Sequence, residues 1–78
     1  MGRNTLGDLR PGQGAFIRSV RGEELFVRRL AELGVTPGTW VELRRKAPLG
    51  DPIQIRLRGY ELSLRRADAK RIEVERRT

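Results

Sequence analysis

Between positions 53 and 65 the chain alternates in two clean runs. Ile53, Ile55 and Leu57 take every second place, with Gln54, Arg56 and Arg58 after each. Beyond Gly59 the pattern resumes: Tyr60, Leu62 and Leu64 alternate with Glu61, Ser63 and Arg65. A period of two is the mark of a strand with one buried face. Two such runs joined across Arg58-Gly59 read as a hairpin with a tight reversal. An isolated hairpin is marginal in water, so its apolar face needs further strands to cover it.

The rest of the sequence supplies them. Arg10-Pro11-Gly12-Gln13-Gly14 is turn chemistry. Ala15 to Val20 then reads as a strand, with Ala15 and Ile17 on one face and Phe16 and Arg18 on the other. Trp40 to Lys46 alternates in the same way: Val41 and Leu43 point inward, Trp40, Glu42 and Arg44 outward. Leu49-Gly50-Asp51-Pro52 breaks the chain before the hairpin. Ile72 and Val74, alternating with Glu73 and Glu75, make a last short strand.

One segment departs from this period. Phe26, Leu30 and Leu33 fall at i, i+4 and i+7, which predicts a helix over about residues 23 to 33 with that stripe in the core. Glu23 and Glu24 sit at the positive end of its dipole. Arg28 lies one turn after Glu24 and is placed to pair with it. Gly34 suits the left-handed residue that ends a helix, and Thr36-Pro37-Gly38 suits a type II turn. Residues 1–8 carry little pattern and are expected to fray, with Leu6 and Leu9 tacking the start of the chain to the body. Asp68 is placed to cap a single helical turn. Residues 76–78 read as a charged tail.

Five short strands and one inserted helix in 78 residues leave no room for a sandwich or a second domain. The sequence therefore predicts a mainly β protein: a single domain over residues 1–78, with a core of about 5–75. A small SH3-like barrel suits it best, because closure removes exposed edges. The helix is expected to plug one end.

Composition narrows the function. The chain has no Cys and no His. Disulfides are impossible, and His-based acid–base catalysis and Cys nucleophiles are excluded. Ser19 and Ser63 have no His to activate them, so no enzyme is expected. No apolar run is long enough to span a bilayer, and the N-terminal stretch lacks the apolar segment of a secretory signal. With the lack of Cys, these features point to the cytoplasm. Lys and Arg number 17 against 10 Asp and Glu, a formal net charge of +7. Acidic residues are interspersed, and no basic run exceeds Arg44-Arg45-Lys46, which favours a solvated mixed surface. Nucleic-acid binding by a small basic β-barrel stands as the alternative.

Several segments, taken in order, carry a resemblance. Arg28-Arg29-Leu30-Ala31-Glu32-Leu33-Gly34-Val35 is followed by Pro37-Gly38. Next come Pro48-x-Gly50-Asp51-Pro52, Ile53, Ile55 and Gly59, then Leu62-x-Leu64-Arg65 and Ala69-x-x-Ile72-x-Val74. The ordered set resembles FeoA-type domains over about residues 5 to 75, with Val35 where that family more often has Leu. The resemblance implies an SH3-like barrel and an accessory role in bacterial ferrous iron uptake. The implied partner is FeoB, a membrane permease with a cytoplasmic GTPase domain. The fold is also similar to the C-terminal domain of DtxR-class iron-dependent repressors. Without a helix-turn-helix ahead of it, this chain is not expected to be a whole repressor.

An iron role invites a search for ligands, which without His or Cys must be carboxylates. Glu23 and Glu24 are explained by the helix dipole, and Glu73 and Glu75, on one strand face, are the nearest approach to a pair. No cofactor and no tight Fe²⁺ site are expected. Gly12-Gln13-Gly14 lacks the Gly-Lys-Ser/Thr of a phosphate loop and reads as a turn. The candidate partner-binding residues are Trp40, Arg44, Arg56 and Arg58. Strand parity points them outward, and Trp and Arg are enriched at binding hot spots. The competing reading makes Trp40 a lid on one barrel end and the arginines solvated. Exposed edges also leave self-association open.

Overall fold

The structure, a computed structural model, describes residues 4–75. Five antiparallel strands form one sheet: β1 (Gly14–Val20), β2 (Trp40–Lys46), β3 (Ile53–Leu57), β4 (Tyr60–Leu64) and β5 (Ile72–Glu75). Their order across the sheet is β4-β3-β2-β1-β5. Helix α1 (Glu24–Glu32) lies between β1 and β2, and a short helix α2 (Arg66–Ala69) between β4 and β5.

Alternation becomes burial along the central strands. Ala15, Ile17, Val41, Leu43, Ile53, Ile55, Leu57, Ile72 and Val74 all lie inside the curled sheet. The β3–β4 register runs from Ile53↔Leu64 to Leu57↔Tyr60. Arg58 (φ 48°) and Gly59 (φ 86°) make the reversal between them. Two positive φ values define the type I′ turn that matches strand twist. The Thr36–Thr39 turn closes with the Thr39 N–H on Thr36 O at 3.1 Å. Gly38 takes the φ of 90° that a type II turn needs.

Helix α1 begins and ends as its sequence directs. Glu24 and Arg28 pair at 3.1 Å. At the other end Gly34 N–H bonds Ala31 O and Val35 N–H bonds Leu30 O, both at 2.9 Å. With Gly34 at φ 93° this is a Schellman ending. The expected stripe, however, is only partly core. Leu30 is buried and Phe26 packs half-buried against the core, but Leu33 is 37% exposed. Leu33 falls on the capping residue, where the chain has already left the helical path. Val35, 1% exposed, fills the core in its place. The helix joins the core through Leu30, with Phe26 packed beside it.

The N-terminal segment also differs from expectation. From Asn4 onward it is ordered: Val74 N–H donates to Asn4 O at 3.0 Å, and Thr5 bridges Glu73. Thr5 and Asp8 bond reciprocally around a 3-10 turn over Leu6–Asp8, Thr5 N–H to Asp8 Oδ2 and Asp8 N–H to Thr5 O, each at 2.9 Å. That capping box drives Leu6 and Leu9 into the core at 0% and 1% exposure. Residues 1–3, and the charged tail at 76–78, lie outside the described residues.

Asp68 does not cap α2. It lies inside the helix, whose capping residue is Arg65. The first free N–H, that of Arg66, is taken instead by Asp51 Oδ1 at 3.0 Å. A carboxylate from the β2–β3 loop thus ties that loop to the far side of the hairpin.

Candidate functional site

Pairing of β2 with β3 sets Val41 against Leu57 and Glu42 against Arg56. Outside the core, the same pairing leaves an open groove of about 500 Å³. Trp40, Glu42, Arg56 and Arg58 line it, together with Gly38 and Thr39.

Trp40 is 45% exposed and leans toward β1. Its ring meets Phe16 edge to face, with centroids 4.9 Å apart and planes at 71°. Such a pair holds the indole in one orientation. Part of the ring therefore covers Phe16 and the rest faces the groove, so the lid and contact readings describe two sides of one residue.

Arg56 is exposed, and its neighbour across the pair is Glu42. Arg58 behaves differently. It lies in the turn, and its Nη2 donates to Thr39 Oγ1 at 3.0 Å while Nε reaches Gly34 O at 3.4 Å. The turn residue is thus a strap between the hairpin and the loop that follows α1. Arg44 stands outside the groove lining. It sits where the β2–β3 register shifts between Leu43 and Arg45, and bonds Glu42 at 3.1 Å and approaches Glu61 at 3.8 Å. Of the four sequence candidates, three share the groove and Arg44 flanks it through Glu42. Sequence reasoning missed Glu42 as a groove residue; its place opposite Arg56 follows from a register that only pairing reveals.

The acidic residues are engaged elsewhere. Glu73 accepts from Ser19 Oγ and pairs with Arg21 Nε, both at 2.8 Å. Glu75 pairs with Arg18 at 2.7 Å. Among the described residues no three His, Cys, Asp or Glu side chains gather as a metal-holding group. None of the helices there is long and apolar enough to cross a membrane.

Five antiparallel strands curled round one core, with one inserted helix, make a small SH3-like domain, and its surface groove carries one indole and guanidinium groups. The FeoA domain model matches residues 4–76, and the chain belongs to that family. A curated relative in Porphyromonas gingivalis, an Fe(2+) transport protein A/FeoB fusion protein, is 41% identical over 70 residues. That match covers 90% of this chain but 8% of the fusion protein. The solution structure of a FeoA-like protein from Clostridium acetobutylicum is similar at TM-score 0.85 and 36% identity, over 97% of this chain and 90% of that one. Zinc-complexed FeoA from Stenotrophomonas maltophilia, described as a prokaryotic SH3 domain protein, is similar at TM-score 0.79 and 32% identity, over 91% and 88% of the two chains. A manganese-dependent transcriptional repressor shares the fold at TM-score 0.86 and 15% identity, over 97% of this chain and 37% of its own.

Proposed function

We propose that this protein is a non-enzymatic accessory of ferrous iron uptake that binds the cytoplasmic region of a FeoB-type GTPase permease. The observation that carries the reading is the relative in which a domain 41% identical to this chain is joined covalently to FeoB. Fusion holds two modules at an effective concentration of order millimolar. A domain retained in that arrangement acts where the permease is. As separate chains, the two need a contact surface to achieve the same proximity.

The groove around Trp40, Arg56 and Arg58 is the surface proposed for that contact, with Arg44 and Glu42 at its rim. An indole fixed by Phe16 loses little freedom on binding. Arg56 offers a guanidinium to an acidic group on the partner. Contact of this kind alters the permease only by binding its conformational states unequally.

The chain is proposed to hold no ferrous ion tightly itself. Its available ligands are carboxylates, and Glu24, Glu42, Glu61, Glu73 and Glu75 each face an arginine instead. Calorimetric titration with Fe²⁺ under reducing conditions is expected to show no stoichiometric micromolar binding.

The contact itself is tested by titrating the full chain against the permease's cytoplasmic region. Arg56→Glu is expected to weaken binding at least about tenfold, as for a hot-spot charge reversal. Binding that Arg56→Glu and Trp40→Ala leave intact removes the groove from the reading. No binding at any accessible concentration removes the partner.

A further inference from the structure

The β2–β3 loop carries a feature that the groove does not explain. Leu49 is 91% exposed, the most exposed of the large apolar side chains among the described residues. It stands at the third position of a turn closed by Gly50 N–H on Ala47 O at 2.7 Å. Pro48, at the second position, fixes its own φ. Ala47 N–H bonds Pro52 O at 3.0 Å, so the loop is closed at its base. Leu49 is held out at a stiff tip.

Basic residues lie on the segments that meet at this end of the sheet. Arg45 and Lys46 end β2, opposite Gln54 and Ile53. Ile53 also pairs with Leu64, so the chain leaves β4 into Arg65 and Arg66 beside the loop. Asp51 within the loop receives the Arg66 N–H. Lys46 Nζ reaches Gly7 O at 3.3 Å, and Lys70 packs against the same glycine. Three acids lie at this end. Asp8 is engaged by Thr5 and Asp51 by Arg66, while Asp68 sits half-buried in α2. None of them forms an ion pair with the five basic side chains.

From this arrangement we infer that the loop end of the barrel docks reversibly on an anionic phospholipid surface, with Leu49 inserted among the headgroups and Arg45, Lys46, Arg65, Arg66 and Lys70 above the phosphates. Clusters of four to eight basic residues are the size that anionic leaflets attract, each Lys or Arg contributing roughly a fivefold factor. One shallow apolar anchor plus a basic patch gives binding that is real but reversible. The leucine decides between a lipid surface and a nucleic acid. Most nucleic-acid contacts use cations, hydrogen-bond donors and flat aromatic rings, and aliphatic wedges act only in a widened, kinked minor groove. A protruding aliphatic side chain adds nothing on a phosphate backbone but loses its water at the acyl boundary. This inference stands apart from the permease contact, which uses the opposite end of the β3–β4 hairpin.

The test is co-sedimentation of the full chain with phosphatidylcholine vesicles, with or without a third of phosphatidylglycerol. Binding is expected only with the anionic lipid, and is expected to fall steeply as salt is raised. Leu49→Ser is expected to lower the partition coefficient about tenfold, the scale of a partly inserted leucine. Arg45→Glu with Arg65→Glu is expected to abolish it. None of these three side chains is buried, so the folded state is expected to survive, and a thermal melt checks it. Equal binding to both vesicles, or a Leu49→Ser chain that partitions as the parent does, overturns the inference. So does tight binding to a random-sequence duplex with no partition onto the anionic vesicles.

Discussion

Trp40 occupies the space where Gly14 would carry a side chain. A Cβ built on Gly14 would lie 2.3 Å from Cζ2 of the indole and 2.8 Å from Cε2. Gly14 is kept small by this approach across β1 and β2, not by its backbone angles. Gly14→Ala is therefore expected to push the ring off Phe16 and into solvent. Because Trp40 is half exposed it has somewhere to go, so the cost is expected near 1–2 kcal/mol, the range for modest overpacking. Denaturant unfolding measures the loss, and a red shift of the single tryptophan's emission reports the displaced ring. An unchanged spectrum together with unchanged stability defeats the account.

The N-terminal turn is expected to matter more than the helix's exposed stripe. Leu6 is fully buried and Leu33 more than a third exposed. Leu6→Ala is expected to cost about 2–4 kcal/mol, as a core cavity does. Leu33→Ala is expected to cost under about 1 kcal/mol. In a domain of this size each kcal/mol moves Tm by roughly 4–8 °C, so the two melts separate clearly. Reversal of that order would mean that the helix, not the N-terminal turn, closes the core.

Much of this was legible in the sequence because side-chain period and turn chemistry are local. The β3–β4 hairpin, the Glu24–Arg28 pair, the Gly34 ending and the Thr36–Thr39 turn each follow from a few adjacent residues. What escaped depended on distant partners. Thr5-x-x-Asp8 was present as a capping box, but nothing nearby shows that Leu6 meets Ala69 and Ile72 in one core. Asp68 looked like the cap of α2 because the competing carboxylate, Asp51, lies 15 positions before the Arg66 N–H that it takes. The candidate groove was half legible. Parity turns Trp40 and Arg56 outward, yet it treats Arg58 as a strand residue when it is a turn residue with an occupied guanidinium. Parity also cannot see the register shift at Arg44.

Arg58 makes the difference between conformational strain and side-chain bonding measurable. It holds a left-handed backbone that costs an ordinary residue about 1–2 kcal/mol, and its side chain straps Gly34 and Thr39. Arg58→Ala loses the strap and keeps the strain. Arg58→Gly loses the strap and relieves the strain. The glycine variant is expected to be the more stable by about 0.5–1 kcal/mol, after its greater freedom in the unfolded chain is counted. Chemical denaturation of both variants gives the comparison. Equal stabilities would show that the neighbouring strands, not the residue's own angles, set the turn.

Asp51 joins the β2–β3 loop to the start of α2, and its removal tests that joint. Its Oδ1 accepts the Arg66 N–H at 3.0 Å, the bond a side-chain cap would make from within the helix. Asp51→Ala leaves that N–H to water, and the loss is expected near 0.5–1.5 kcal/mol, as for a helix cap. Asp51→Asn keeps an accepting oxygen and is expected to recover most of it. Hydrogen exchange locates the effect: the Arg66 amide is expected to exchange faster in Asp51→Ala, while the Ile55 amide in the β2–β3 ladder changes only with global stability. If both amides accelerate together beyond that global change, Asp51 supports the sheet as a whole and is not a local cap.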